Sequence, residues 1–131
     1  MSGSKPSMRT PLGRVRNLGS AHAGTSDFWR QRLTAIGLIL LIVPMIVIVM
    51  TVMGRNHAAA VQILGSPIVA IVLALFVIAT VWHMKIGMQV VIKDYVHEER
   101  LKLAAIIGNN FFSAAVALSA IYAILKLSFG V

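Results

Sequence analysis

His83, Asp94 and Tyr95 are the residues of this chain whose presence is hardest to explain as packing. They fall in VWHMKIGMQVVIKDYVHEER, residues 81–100, where an apolar run meets a histidine and closes on an Asp-Tyr pair among charges. Imidazole can carry protons or ligate iron. A phenol hydroxyl donates a hydrogen bond, and an adjacent carboxylate can polarise it or pass protons to it. At about 100° per residue in a helix, Gly87 lies about 40° from His83, Val90 about 20° to the other side, and Asp94 about 20° away. One face therefore presents a histidine, a glycine gap and, about 16 Å further along the axis, a carboxylate. Lys85 and Lys93 point away from this face, at about 200° and about 280°, and Tyr95 stands about 120° around. A glycine one turn from a histidine lets a large flat group approach the backbone closely.

Each residue also has a plainer reading. A lone membrane histidine can serve only to hydrogen-bond a neighbouring helix. Asp94 can be a solvated carboxylate paired with Lys93 or His97, although a helix C-terminus disfavours an aspartate and so implies that something holds it. Tyr95 stands where interfacial aromatic anchors occur. His22, His57 and His97 lie in or beside aqueous segments. Asn109 and Asn110 are expected to hydrogen-bond between helices, Pro44 to kink its helix with the freed carbonyl satisfied locally, and Lys126 to reach back to an interface.

The elements that position these residues follow from hydropathy. The 131 residues are 58% hydrophobic and only 12% charged, about half the charge of ordinary soluble domains, at about 25%. Leu33 to Gly54, Ala58 to Trp82 and Leu103 to Leu125 contain no charged side chain. A bilayer core of about 30 Å needs about 20 apolar residues in a helix, so each run can span it. The chain reads as an all-α membrane protein: a basic segment, residues 1–32, then a three-helix domain, residues 33–131, with helices over about 33–54, 66–95 and 103–127. Ser66-Pro67 is an N-cap followed by proline at the first helical position. The helix it opens is longer than the hydrocarbon core, so it must tilt or carry Asp94 and Tyr95 out to the interface. The first 27 residues read as an extended lead-in. The first apolar run begins too late and is too long for a cleaved signal. With no cysteine in the chain, disulfides and thiolate-held clusters are excluded.

Charge sets the orientation. Lys5, Arg9, Arg14, Arg16, Arg30 and Arg32 precede the first span; Lys85, Lys93, Arg100 and Lys102 surround the turn after the second; only Arg55 and Lys126 lie at the opposite side. Positive segments remain cytoplasmic, which places the N-terminus inside, the C-terminus in the periplasm and the Asp-Tyr pair inside. The net charge of +8 then serves anionic lipid headgroups rather than nucleic acid.

The spacing H-x-x-x-G-M-x-x-V-x-x-D-Y, carried by His83, Gly87, Asp94 and Tyr95, resembles the D-type hydrophobic membrane anchor subunits of succinate dehydrogenase, respiratory Complex II. SDFWRQRLTAI, residues 26–36, looks like that family's entry into its first helix, and PLGRVRNLGSA, residues 11–21, looks like alphaproteobacterial members. The resemblance implies half of a six-helix heterodimeric anchor in the inner membrane. It implies a second three-helix (cytochrome b) subunit, an iron–sulfur subunit and a flavoprotein subunit as partners, with haem b held between one histidine from each anchor and ubiquinone as substrate near the cytoplasmic face. His83 becomes the axial ligand of the haem iron, Tyr95 the phenol on a quinone carbonyl and Asp94 its acidic neighbour; Arg32 matches a basic position near both groups. Ser26 stands where some relatives have histidine, so no histidine role is carried there. The residues agree with these expectations: only one histidine lies at membrane depth, so a bis-histidine haem needs a partner chain. A small proton- or ion-transport subunit, with His83 and Asp94 as relay groups, and a structural accessory subunit are the other readings. The first needs polar residues across the outer half of the second span, where Ala70 to Val81 offers only Thr80.

Overall fold

The computed structural model describes Thr10, Leu12 and residues 22–130, with side chains from Thr25 onward. Lys5, Arg9, Arg14, Arg16 and most of the 11–21 stretch lie outside the described residues. The chain is all-α, as expected, with four helices among those residues: α1 (His22–Val52), α2 (His57–Leu64), α3 (Pro67–Tyr95) and α4 (Glu99–Phe129). Three of them, α1, α3 and α4, are long and apolar enough to cross a membrane. Helix α3 lies in the middle of a row, packed against α1 on one side and α4 on the other, and α1 and α4 do not meet.

The long helices are longer than their charge-free runs. Helix α1 begins at His22, about three turns ahead of Leu33, so residues expected as lead-in are helical. Charge marks where a helix leaves lipid, not where its backbone hydrogen bonds stop. In the added turns Asp27, Phe28 and Gln31 all line one cleft against α3. That packing stabilises helix where hydropathy gives no signal. The helix continues unbroken through Pro44. Helix α4 likewise starts at Glu99, whose carboxylate complements the positive end of the helix dipole. The connection over 96–98 is short enough to force α3 and α4 antiparallel.

Helix α2 was not anticipated as a separate element, because its residues continue the apolar run that leads into the second span. Asn56 defines its start: the side-chain oxygen accepts from the Ala59 N–H at 2.9 Å, meeting one of the unpaired donors of a helix N-terminus. Ser66 has the extended backbone of an N-cap (φ −65°, ψ 141°) and Pro67 follows at the first helical position. Its hydroxyl, however, donates back to the Ile63 carbonyl at 2.8 Å, finishing α2 rather than capping α3.

Gly65 closes α2 against α4. A Cβ there would lie 2.5 Å from the Leu127 carbonyl oxygen and 3.0 Å from that of Val61. Both are backbone atoms and cannot rotate away. Gly65→Ala is therefore expected to destabilise the protein by about 1–3 kcal/mol, read as a lowered thermal midpoint in detergent. An unchanged midpoint would show that this corner yields freely.

Few side chains are buried: Ile48, Ala70, Ile86, Ile92 and Ile124, with Asn109 and Ser113. Asn109 donates its amide N–H to the Lys85 carbonyl at 3.0 Å, and the Gln89 amide donates to Asn110 Oδ1 at 3.4 Å. Both asparagines thus link α3 and α4, as expected for polar residues between membrane helices. Leu33, Leu40, Ile68, Leu118 and Phe111, among many others, are exposed. In water such a surface would aggregate; on membrane-spanning helices it faces lipid tails or a partner.

Candidate functional site

The site lies between α1 and α3, near the end of the row where Arg30, Arg32 and Lys93 gather. His83 is half-buried and turned toward α1. Its Nδ1 is 3.0 Å from Thr34 Oγ1 and its Nε2 is 3.4 Å from the Gln31 amide nitrogen. Thr34 decides which ring nitrogen carries the proton. Its hydroxyl has one hydrogen and lies 2.9 Å from the Arg30 carbonyl and 3.0 Å from the Gln31 carbonyl. With two backbone acceptors competing for that hydrogen, Oγ1 is left to accept, so His83 Nδ1–H donates to it. Nε2 then holds the lone pair, and the long contact from Gln31 Nε2–H is its only interaction within the described residues.

This is the arrangement that metal-ligating histidines adopt, with one nitrogen donating to an oxygen that fixes the ring and the other free for the metal. Two more observations fit a prosthetic group here. Gln31 Oε1 is buried with no hydrogen-bond partner, so its amide is only half satisfied within this chain. Gly87 forms the notch expected from the sequence, and Gln31 occupies it: a Cβ on Gly87 would lie 3.3 Å from Gln31 Nε2. A neutral imidazole held in one tautomer with its other nitrogen free is a donor that would suit the iron of a haem.

Beside His83, and sharing Gln31 with it, lies a cleft of about 410 Å³ lined by Asp27, Phe28, Gln31, Arg32, Val90, Lys93 and Asp94. Small-molecule pockets start at about 300 Å³. The Lys93 ammonium pairs with Asp27 at 3.4 Å, not with Asp94 as one sequence reading allowed. The Arg32 guanidinium rests 4.3 Å from the centre of the Phe28 ring, a cation–π contact that holds it beside the cleft. Arg32 and Asp94 thus remain as a cation and an anion without an ion pair among the described residues. Among the described residues nothing holds the Asp94 carboxylate, despite its unfavourable place at a helix C-terminus.

Of the residues singled out from sequence, the structure brings Arg32 and Asp94 into one cleft, with His83 joined to it through Gln31. Tyr95 is 77% exposed and does not line the cleft. Sequence reasoning gave Thr34, Gln31 and Asp27 no part in the site, and it turned Lys93 away from the face of Asp94, whereas Lys93 lines the same cleft. A signal existed for Asp27, the only carboxylate before Asp94, but none for Thr34 or Gln31, whose roles depend on how α1 is rotated against α3.

The family described as succinate dehydrogenase/fumarate reductase transmembrane subunit matches residues 6–117. The chain belongs to that family. It is 33% identical over 121 residues to the succinate dehydrogenase hydrophobic membrane anchor subunit of Paracoccus denitrificans, covering 92% of this chain and 93% of the relative. The anchor subunit of Rickettsia bellii is also 33% identical, over 118 residues, covering 88% and 93%. That of Rickettsia conorii is 29% identical over 102 residues, covering 76% and 79%. No solved structure matches the chain significantly. With three helices long and apolar enough to cross a membrane, the chain is a multi-pass membrane protein.

Proposed function

We propose that the chain anchors succinate:ubiquinone oxidoreductase in the inner membrane, with its N-terminus cytoplasmic and its C-terminus periplasmic. In this reading His83 Nε2 would ligate the iron of a b-type haem, and a second three-helix subunit would supply another histidine to it. Haem, when bound, supplies one-electron redox chemistry. Thr34 holds the imidazole in the ligating tautomer, and Gln31 must leave the Gly87 notch for the flat group to reach the ring.

Arg32, Asp94 and Tyr95 form this chain's part of a ubiquinone-reduction site at the cytoplasmic interface. Reduction of a quinone takes up two electrons and two protons, so its carbonyl oxygens need donors where negative charge develops. The Arg32 guanidinium and the Tyr95 hydroxyl are such donors, and Asp94 can pass protons from the cytoplasmic water. The exposed Tyr95 needs a neighbouring subunit to complete its surroundings. The iron–sulfur and flavoprotein subunits dock at the same basic face.

The observation that supports this reading best is His83, with its Nδ1–H tied to Thr34 and Nε2 left as the lone-pair nitrogen beside a cleft holding Arg32 and Asp94. Capture of the tagged full-length chain in mild detergent, with mass identification of what accompanies it, tests the assembly. A flavoprotein, an iron–sulfur protein and a second three-helix subunit are expected in equal amounts. The chain alone, or with unrelated partners, from a membrane that contains Complex II would overturn the proposal.

A further inference from the structure

A second cavity lies between α3 and α4, on the opposite side of α3 from His83. It measures about 350 Å³ and is lined by Ile78, Val81, Trp82, Lys85, Asn110 and Ser113, with Ala114 and Ala117. The polar residues of this lining all bring hydrogen-bond donors. Lys85 is an ammonium, Trp82 has only an indole N–H to offer, and Asn110, whose oxygen takes the Gln89 contact, keeps its NH₂ free. Ser113 is 2% exposed, and its Oγ has no partner. All four carboxylates of the chain lie elsewhere, at Asp27, Asp94, Glu98 and Glu99, and Lys85 has no ion pair among the described residues. A buried hydroxyl and an unpaired cation in one cavity call for an acceptor with negative charge.

Depth says what carries that charge. A hydrocarbon core of about 30 Å spans about 20 helical residues at 1.5 Å each. Counted from the end of the row away from the basic cluster, that distance reaches Arg32 on α1 from Val52, Gly87 on α3 from Pro67, and Asn109 on α4 from Phe129. Three independent counts converge on one plane. Lys85 and Asn110 stand within a turn of this hydrocarbon edge, within a side chain's reach of the phosphate layer just outside it, while Ile78, Val81 and Ala117 lie deeper, where acyl chains run.

We propose that this cavity binds the phosphodiester headgroup of an anionic phospholipid from the leaflet at the basic end. Lys85, Asn110 and Ser113 take the phosphate oxygens, Trp82 flanks the glycerol region, and the apolar wall takes the start of one acyl chain.

The test is native mass spectrometry of the full-length chain in the complex it assembles into, purified in mild detergent and supplied with dioleoyl phosphatidylglycerol or with dioleoylglycerol, which has the same tails and no phosphate. One phosphatidylglycerol is expected to be retained in preference to dioleoylglycerol. Lys85→Gln is expected to weaken its retention about tenfold, Ser113→Ala to weaken it less, and Lys85→Arg to preserve it. Equal retention of dioleoylglycerol, no change in Lys85→Gln, or equal loss in Lys85→Arg and Lys85→Gln would each overturn the proposal. So would a complex that retains no phospholipid when the lone chain does, because a partner side chain would then fill the cavity.

Discussion

His83→Ala is expected to abolish the haem b absorption of the assembled complex. The ring is the only imidazole of the described side chains at membrane depth, since His57 lies at the start of α2 and His97 beyond the end of α3. No neighbouring group can take over as ligand: Thr34 and Gln31, the polar side chains in contact with it, are weak ligands for iron beside a neutral imidazole. A reduced-minus-oxidised optical spectrum reads the result directly, and an unchanged spectrum would remove His83 from the ligand role. Thr34→Val separates ligation from orientation. It keeps the ring but deletes the acceptor of Nδ1–H, leaving that donor unpaired or the tautomer reversed. Losing such an outer partner typically costs about 10- to 100-fold in affinity. Haem is then expected to be lost readily on washing and its potential to shift, with Thr34→Ser restoring both. A purely structural role for Thr34 would move neither the potential nor the serine rescue.

Tyr95→Phe is expected to slow succinate–ubiquinone turnover by about 100-fold, the usual cost of removing one donor from a developing oxyanion, while succinate oxidation by a soluble dye stays intact. The phenol is exposed and makes no hydrogen bond among the described residues, so its loss disturbs no packing there. That is why a selective effect is meaningful at this position. Equal loss of both activities, with the complex fully assembled, would rule out a quinone role for Tyr95.

Much of the architecture was legible because hydropathy is a local property. The three spans could be read from charge-free runs, and the start of α3 from Ser66-Pro67, because proline at N1 leaves no amide to satisfy. Asn109 and Asn110 could be read as interhelical bonds because lipid leaves polar side chains few other partners. The early start of α1 could not be read, since residues 22–32 are polar and their helix is stabilised by packing against α3. Nor could the site be read in full. Helical periodicity placed His83, Gly87 and Asp94 on one face of α3, but that face is completed by Gln31 and Thr34 from another helix. Their positions depend on the rotation of α1, which no spacing within α3 encodes. The notch at Gly87 illustrates the difference: periodicity found the gap, and only the fold revealed that a glutamine fills it.

The row of helices has a consequence for how cells handle this chain. With α1 and α4 never touching and only seven buried side chains among the described residues, no interior closes around itself. Helices in lipid gain little from apolar contact alone, so what keeps the row together must come largely from neighbours docked on its faces. A copy standing alone is therefore a loosely held set of three long rods joined by short connections. Under the proposed assembly, a copy without its neighbours would be the least stable form of the chain, and the scarcer of the two anchors would then set how many finished complexes a membrane contains.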